Sequence, residues 1–289
     1  MKIVRIGSQD RDAVRGVSQT YRMCGIAGYS LSAASRVDRT LAGRALLAAI
    51  AERGADAAGY AYRRPGESVV VHKQRTGASA LLEVVDVPAD AVDALFHVRD
   101  YTKGHPALLA NNHPIRHGAV VGVHNGIIEN DEELFARHGF QHHEPEMTVD
   151  SEAIFALAEE TGDSPAALEE LHGSMATAWI DERDERHLYV ARGVKRPLWI
   201  AQGAHETFFA STPEALELVG DYTGVDADIT EVTEGTLLVL AAGRLEAQHR
   251  FRPDRTFVER DPLPAVRAPH ERRSALAMLA SLGAPARAR

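Results

Sequence analysis

The chain has 289 residues, 45% hydrophobic and 25% charged, with a formal net charge of −9. These are globular proportions, and they exclude a disordered or collagen-like chain. No run reaches the about 18 consecutive apolar residues of a membrane helix, the acidic balance lacks the basic concentration of a nucleic-acid binder, and the single cysteine, Cys24, excludes an internal disulfide framework and a multi-cysteine zinc site.

Residues 1–23 hold five basic residues and two acids but no apolar stretch of the secretory kind, so they read as a leader or as a misassigned start. Residues 24–31 form a short apolar run of strand character. Leu41, Ala45, Leu46, Ala48, Ala49 and Ile50 recur at helical spacing, which predicts a helix over 40–53 ending near Gly54. Strands are expected at 59–62 and 69–72 around an Arg-Arg-Pro-Gly turn, then at 95–99 and 119–124. Helices follow at 131–138 and 151–160, and further strands at 176–181, 187–191, 198–201, 208–211 and 236–240. Many antiparallel-type strands with few helices argue for α+β layers and against an alternating βαβ sheet. From Phe251 the chain carries eight Arg, five Pro and four acids. This segment, 251–289, reads as an extended surface tail with a short helix over 270–282, or as a docking element for a partner.

Several short strings stand in order. Cys24-Gly25-Ile26-Ala27-Gly28 follows Met23; then come Arg53-Gly54-Ala55-Asp56, His97-Val98-Arg99-Asp100-Tyr101-Thr102, Asn112-His113-Pro114, His124-Asn125-Gly126-Ile127-Ile128-Glu129-Asn130, and Thr148-Val149-Asp150-Ser151-Glu152. Taken singly, each has an ordinary structural reading. Cys24 is a small strand residue, Asn125-Gly126 a hairpin turn, Asp150 a helix N-cap and Arg99 a surface ion pair.

As a series, the strings resemble the glutaminase domain of the class II glutamine amidotransferases, which are N-terminal-nucleophile hydrolases, over 24–250. The resemblance implies a four-layer αββα sandwich of two antiparallel sheets. It also implies hydrolysis of the side-chain amide of L-glutamine through a γ-glutamyl thioester on Cys24. An N-terminal cysteine carries nucleophile and base together: its thiol and α-amine titrate near 8.5 and 7.7–8.0, so a proton moves between them cheaply. The resemblance assigns oxyanion stabilisation to the Asn125 side chain and the Gly126 N–H. It gives the α-carboxylate to Arg99, whose fork suits a carboxylate, and the α-ammonium to Asp150, with Thr102 also in the substrate-binding set. Arg53, His97 and His124 are implied as supporting residues. Two positions depart from the family pattern: Asp100 where an aromatic residue is frequent, and Lys103 where some members have His.

The chemistry requires Cys24 to begin the mature chain. Either a propeptide is removed, or Met23 is the true initiator, or a retained leader makes an inactive protein. The sequence contains no P-loop, G-x-G-x-x-G or H-E-x-x-H string. No cofactor and no metal are therefore expected, and His138, His142 and His143 read as solvated loop residues. The expected partners are L-glutamine and a separate acceptor subunit receiving ammonia, because too few residues follow 250 for an acceptor domain. No nucleic-acid or membrane partner is expected, homo-oligomerisation is left open, and a reducing cytoplasm fits the cysteine usage. The alternatives are a stand-alone amidohydrolase for a γ-glutamyl compound and a non-catalytic glutamine-binding or scaffold protein.

Overall fold

The computed structural model describes residues 24–259, 268–283 and 286. The expectations for the leader therefore lie outside the described residues. The strands are β1 (Gly25–Leu31), β2 (Ala57–Arg63), β3 (Val70–Gln74), β4 (Asp93–Arg99), β5 (Ile115–His117), β6 (Val120–Ile128), β7 (Gly173–Asp181), β8 (His187–Arg192), β9 (Trp199–Gln202), β10 (Glu206–Ala210), β11 (Asp228–Glu231), β12 (Thr236–Ala241) and β13 (Arg244–Arg250). The helices are α1 (Arg39–Ile50), α2 (Ala78–Leu81), α3 (Asp131–His138), α4 (Glu152–Thr161), α5 (Pro213–Thr223) and α6 (Pro269–Leu282), and a 3₁₀ turn over Ala51–Arg53 continues α1.

The strands form two antiparallel sheets, ordered β11-β9-β10-β1-β4-β2-β3 and β13-β12-β8-β7-β6-β5. Alternation along each strand sends one set of side chains outward and the other toward the facing sheet. Ile26, Leu95, Val121, Val123, Ala178 and Leu188 meet between the sheets. Tyr29, Phe96, Val98 and Phe208 face α1, α5 and α6 on the outer side of the first sheet, while Phe155 and Trp179 share the core under α4 on the second. The result is a four-layer αββα sandwich.

Two of the expected helices hold for local reasons. Asp38 caps α1, accepting from the Leu41 N–H at 2.9 Å. Helix α3 carries Asp131, Glu132 and Glu133 in its first turn and ends on Gly139 at φ +71°. Strand β6 is longer than the apolar run suggests. It continues through Asn125 and Gly126, which pair with Ala176 and Met175 in mid-ladder, so the Asn-Gly pair is not a turn.

The Arg- and Pro-rich segment differs from a free tail. Phe251 and Phe257 are buried, and α6 seats Ala275 and Leu279, both fully buried, against α1 and α2. Four widely spaced apolar residues anchor a segment whose composition is otherwise polar. Residues 260–267, within the expected extended stretch, lie outside the described residues.

Candidate active site

Strand register brings the sequence-predicted residues to one end of the inter-sheet space. Gly25 pairs with Val98, so Cys24 lies beside Arg99. Ile26 faces the second sheet, and Cys24, two residues earlier, keeps that face. By the same alternation Leu95 leads to His97 and Arg99 on β4, and Val121 and Val123 lead to Asn125 on β6. His97 ties the sheets together: its Nε2 donates to the His124 carbonyl at 3.0 Å. That bond fixes the tautomer, because a carbonyl only accepts, and leaves His97 Nδ1 without a partner among the described residues.

Cys24 is held by its backbone. Arg53 Nε donates to its carbonyl at 3.0 Å, and its thiol contacts the Asp100 carbonyl at 3.5 Å. Gly25 and Gly54 permit this fit: a Cβ on Gly25 would lie 2.9 Å from Ile50 and Val98, and one on Gly54 would lie 2.3 Å from the Arg99 carbonyl carbon. Burial pushes the thiol pKa up, opposed by the Asp100 carbonyl contact and by Arg99. The thiol thus needs a base. The buried histidines do not supply one, since burial pulls His97 and His124 down to about 3. His124 is committed besides, with Nε2 donating to the Ser174 carbonyl at 3.3 Å and Nδ1 accepting from Ser151 Oγ at 2.9 Å.

Arg99 is buried and, among the described residues, has no carboxylate within ion-pair distance, so the surface ion-pair reading is wrong. Its Nη1 donates to the Asn111 carbonyl and, at 2.6 Å, to Asn112 Oδ1; its Nη2 donates to the Lys103 carbonyl at 2.8 Å and to that of Gly104. A guanidinium shapes the 103–112 loop while its charge stays uncompensated at contact range. Asn111 in turn joins that loop to Thr148, accepting from the Thr148 N–H at 2.8 Å. Asn111 and Asn112 were not singled out as site residues by the sequence reading; the Asn112-His113-Pro114 string was the only available signal.

Asp150 is buried and accepts from the Ile128 N–H at 2.7 Å, at the end of β6. It does not cap α4, whose N-cap residue is Ser151, without a side-chain bond. Burial raises the Asp150 pKa to about 6, the Ile128 bond opposing it. Cys24, Arg99 and Asp150 lie close enough to influence one another electrostatically.

Asn125 is fully buried, yet neither its Nδ2 nor its Oδ1 has a partner among the described residues. Gly126 adopts φ +153°, and a Cβ there would fall 1.9 Å from the Ser174 carbonyl oxygen, so the residue after Asn125 can only be glycine in this backbone. Thr102 is exposed on the loop after β4. Lys103 pairs with Asp131 at 2.6 Å. His113 stacks on His97 with centroids 4.1 Å apart, and neither of its ring nitrogens has a partner among the described residues.

Among the described residues no group of three or more His, Cys, Asp or Glu is arranged to hold a metal. His138 bonds Glu160 and Glu170, and His142 bonds the buried Glu152. No helix among the described residues is long and apolar enough to cross a membrane.

Comparison with known proteins agrees with this fold. A family model described as a glutamine amidotransferase domain matches residues 104–218. The glutamine–fructose-6-phosphate aminotransferase (isomerizing) of Thermus thermophilus is 34% identical over 201 residues, covering 67% of this chain and 32% of that protein. The Listeria monocytogenes enzyme of the same name is 31% identical over 254 residues, covering 84% and 41%. The chain therefore spans less than half the length of the curated relatives it matches. The structure of glutamine phosphoribosylpyrophosphate amidotransferase from B. subtilis superposes with a TM-score of 0.61 at 20% identity, over 78% of this chain and 49% of that one, which is a likeness of fold. With the sandwich, the ordered strings and these relatives together, the chain carries a class II glutamine amidotransferase domain of the N-terminal-nucleophile type.

Proposed function

We propose that this chain, once Cys24 carries a free amino group, hydrolyses the side-chain amide of L-glutamine and passes the ammonia to an acceptor subunit. The α-amine takes the thiol proton, and the thiolate attacks the amide carbon. Asn125 Nδ2 and the Gly126 N–H hold the resulting oxyanion. The C–N bond then breaks, the leaving nitrogen takes the proton from the α-ammonium, and ammonia departs. Water, deprotonated by the same amine, attacks the thioester, and the thiol and glutamate are released.

The observation that carries the reading is Asn125. An amide buried with both polar atoms unpaired costs about 1–3 kcal/mol, and here it faces the same space as the one cysteine of the chain. Such a group is retained where a transient acceptor appears only during reaction. Asp150 offers a carboxylate to the substrate α-ammonium and Arg99 an uncompensated charge to its α-carboxylate. The four Nη bonds of Arg99 mean that the carboxylate approaches Nε or displaces loop carbonyls. Arg53 fixes the Cys24 backbone, and His97 and His124 keep the two sheets and the Asn125 strand in register. The acceptor half of the proposal draws on the names of the curated relatives, which are aminotransferases.

The test is ammonia release from L-glutamine by protein whose mass shows a chain starting at Cys24. Release by that form, with no release from Cys24→Ala or from protein retaining residues 1–23, is the expected result. Activity in the chain that keeps its leader would overturn the mechanism. Glutamine binding without turnover in the processed form would favour the scaffold reading, and faster turnover of a γ-glutamyl anilide than of glutamine would favour the stand-alone amidohydrolase.

A further inference from the structure

We infer that the C-terminal helix α6 positions the nucleophile, acting through the 51–56 segment, with Glu52 as the positioning residue. The inference rests on the thioester reading above. Helix α6 lies well outside residues 104–218, the span of the family match, and nothing in the proposed chemistry requires it.

The chain of contacts is short. The Ala268 N–H, at the start of α6, donates to the Glu52 carbonyl at 2.9 Å. One turn on, Arg272 Nη1 reaches the Glu52 carboxylate at 3.3 Å. The next residue is Arg53, whose Nε holds the Cys24 carbonyl. The next again is Gly54, pressed on the Arg99 backbone, and then Asp56, whose N–H donates to the Arg99 carbonyl at 3.0 Å while its carboxylate accepts from the Tyr101 N–H at 2.9 Å. Residues 51–56 are thus a socket that grips both the nucleophile and the strand end carrying Arg99.

Helix α6 braces that socket from outside the sandwich. Two further anchors fix the helix itself. Glu271 accepts from the Ser79 N–H at 3.1 Å and the Ser79 hydroxyl at 2.9 Å, beside Gly77, where any Cβ would collide with that carboxylate. Ala275 and Leu279 are fully buried against the α1 side. A shift of the socket by about 1 Å displaces the sulfur from its attack geometry, an error that costs on the order of 10²-fold in rate.

The experiment compares Leu279→Asp, Leu279→Met and Ala268→Pro with wild type in the processed protein, each checked for folding by circular dichroism. Leu279→Asp unseats the helix, Leu279→Met keeps it seated, and Ala268→Pro removes the N–H that the Glu52 carbonyl accepts while drawing φ at 268 from −103° toward about −65°. Two readouts are taken: kcat and KM per titrated thiol, and the rate at which iodoacetamide alkylates Cys24, which reports the thiol with or without turnover. The expected result is a kcat lower by about tenfold in Leu279→Asp and Ala268→Pro, KM within about twofold, an altered alkylation rate, and wild-type behaviour in Leu279→Met. Unchanged kcat per thiol and unchanged alkylation in folded Leu279→Asp, or in Ala268→Pro should Leu279→Asp not fold, would overturn the inference. If wild type releases no ammonia, the thioester reading fails and the alkylation readout alone decides the role of α6.

Discussion

Arg63 and Arg99 are both buried between the sheets, and they do opposite things. Arg63 and Asp93 are direct cross-strand partners on β2 and β4. Arg63 Nε and Nη2 both reach Asp93 Oδ2, and its remaining N–H groups go to the Asp184 and His187 carbonyls of the facing sheet. Arg99 sits at the other end of β4, six residues on, about 20 Å away at strand rise, with only neutral carbonyl and amide acceptors in contact. One guanidinium is neutralised and stitches the sandwich. The other has, among the described residues, no carboxylate at contact range. The neighbours follow suit: among the described residues Asn125, His97 and His113 leave polar atoms unpaired at the Arg99 end, whereas at the Arg63 end Asp93 Oδ1 is unpaired. Buried polar groups are normally satisfied, and the Arg99 end, with more of them unsatisfied among the described residues, is the end with donors and acceptors left over for a further partner.

Cutting each end separately tests this division. Arg63→Met strands the Asp93 carboxylate in a site where burial already raises its pKa, and losing one partner of a buried pair costs about 3–5 kcal/mol. The denaturation midpoint should fall accordingly, while kcat and KM for glutamine, measured where the variant is folded, stay at wild-type values. Asn125→Ala should do the reverse. Its kcat falls by about 10²–10³ with KM little changed, and its stability holds or rises because two unpaired polar atoms leave the interior. A kinetic defect in folded Arg63→Met, or an unaltered rate in Asn125→Ala, would break the distinction between the two ends.

How much of this could be read from sequence follows the same line. Local signals sufficed where one strand or helix decides the matter: α3 is found at its expected bounds, and β4 within two residues of them. The convergence of Cys24, Arg99, Asn125 and Asp150 was legible because four strings occur in family order, not because any one is diagnostic. Asn125-Gly126 misleads locally, since a turn dipeptide is absorbed in mid-strand by pairing with β7, a contact far away in the chain. Helix α5 was overlooked although Thr212 caps it, Pro213 opens it and Gly224 ends it. Strand β13 was hidden by its exposed, charged residues. That Arg99 would spend its four Nη bonds on the loop at 103–112 has no sequence signature, because it depends on how that loop folds back. The seat of α6 was equally invisible, its two buried anchors, Ala275 and Leu279, diluted among arginines.

Asp150 sharpens the comparison through pH. Its carboxyl titrates near 6 in the fold instead of near 3.8, so the charged form is the disfavoured one. Stability is greatest below the unfolded value and declines as pH rises through about 6, a cost of about 3 kcal/mol at pH 7. Asp150→Asn removes that cost and should raise the neutral-pH melting temperature, with no gain below pH 3.8. It should also raise KM for glutamine by about 10- to 100-fold, the worth of a hydrogen bond to a charged group. In wild type KM should climb as pH falls below about 6, where the carboxylate is lost, and this slope should vanish in Asp150→Asn. A variant that is stabilised but retains the wild-type KM would remove Asp150 from the substrate site.

Thr102 carries the smallest expected effect. Its side chain is exposed on the loop that Arg99 organises, next to Lys103, whose carbonyl accepts from Arg99. A neutral hydroxyl contributes about 0.5–1.5 kcal/mol when its hydrogen bond is made. Thr102→Val should therefore raise KM for glutamine by about 2- to 10-fold and leave kcat and the melting temperature unchanged. The substitution keeps the branched shape, so the loop itself is not disturbed. Substrate binding at this end is then distributed, with a buried carboxylate, a buried guanidinium and one exposed hydroxyl in descending order of weight. Should Thr102→Val bind glutamine as wild type does, recognition is confined to the buried groups, and the loop contributes its carbonyls to Arg99 and nothing to the substrate.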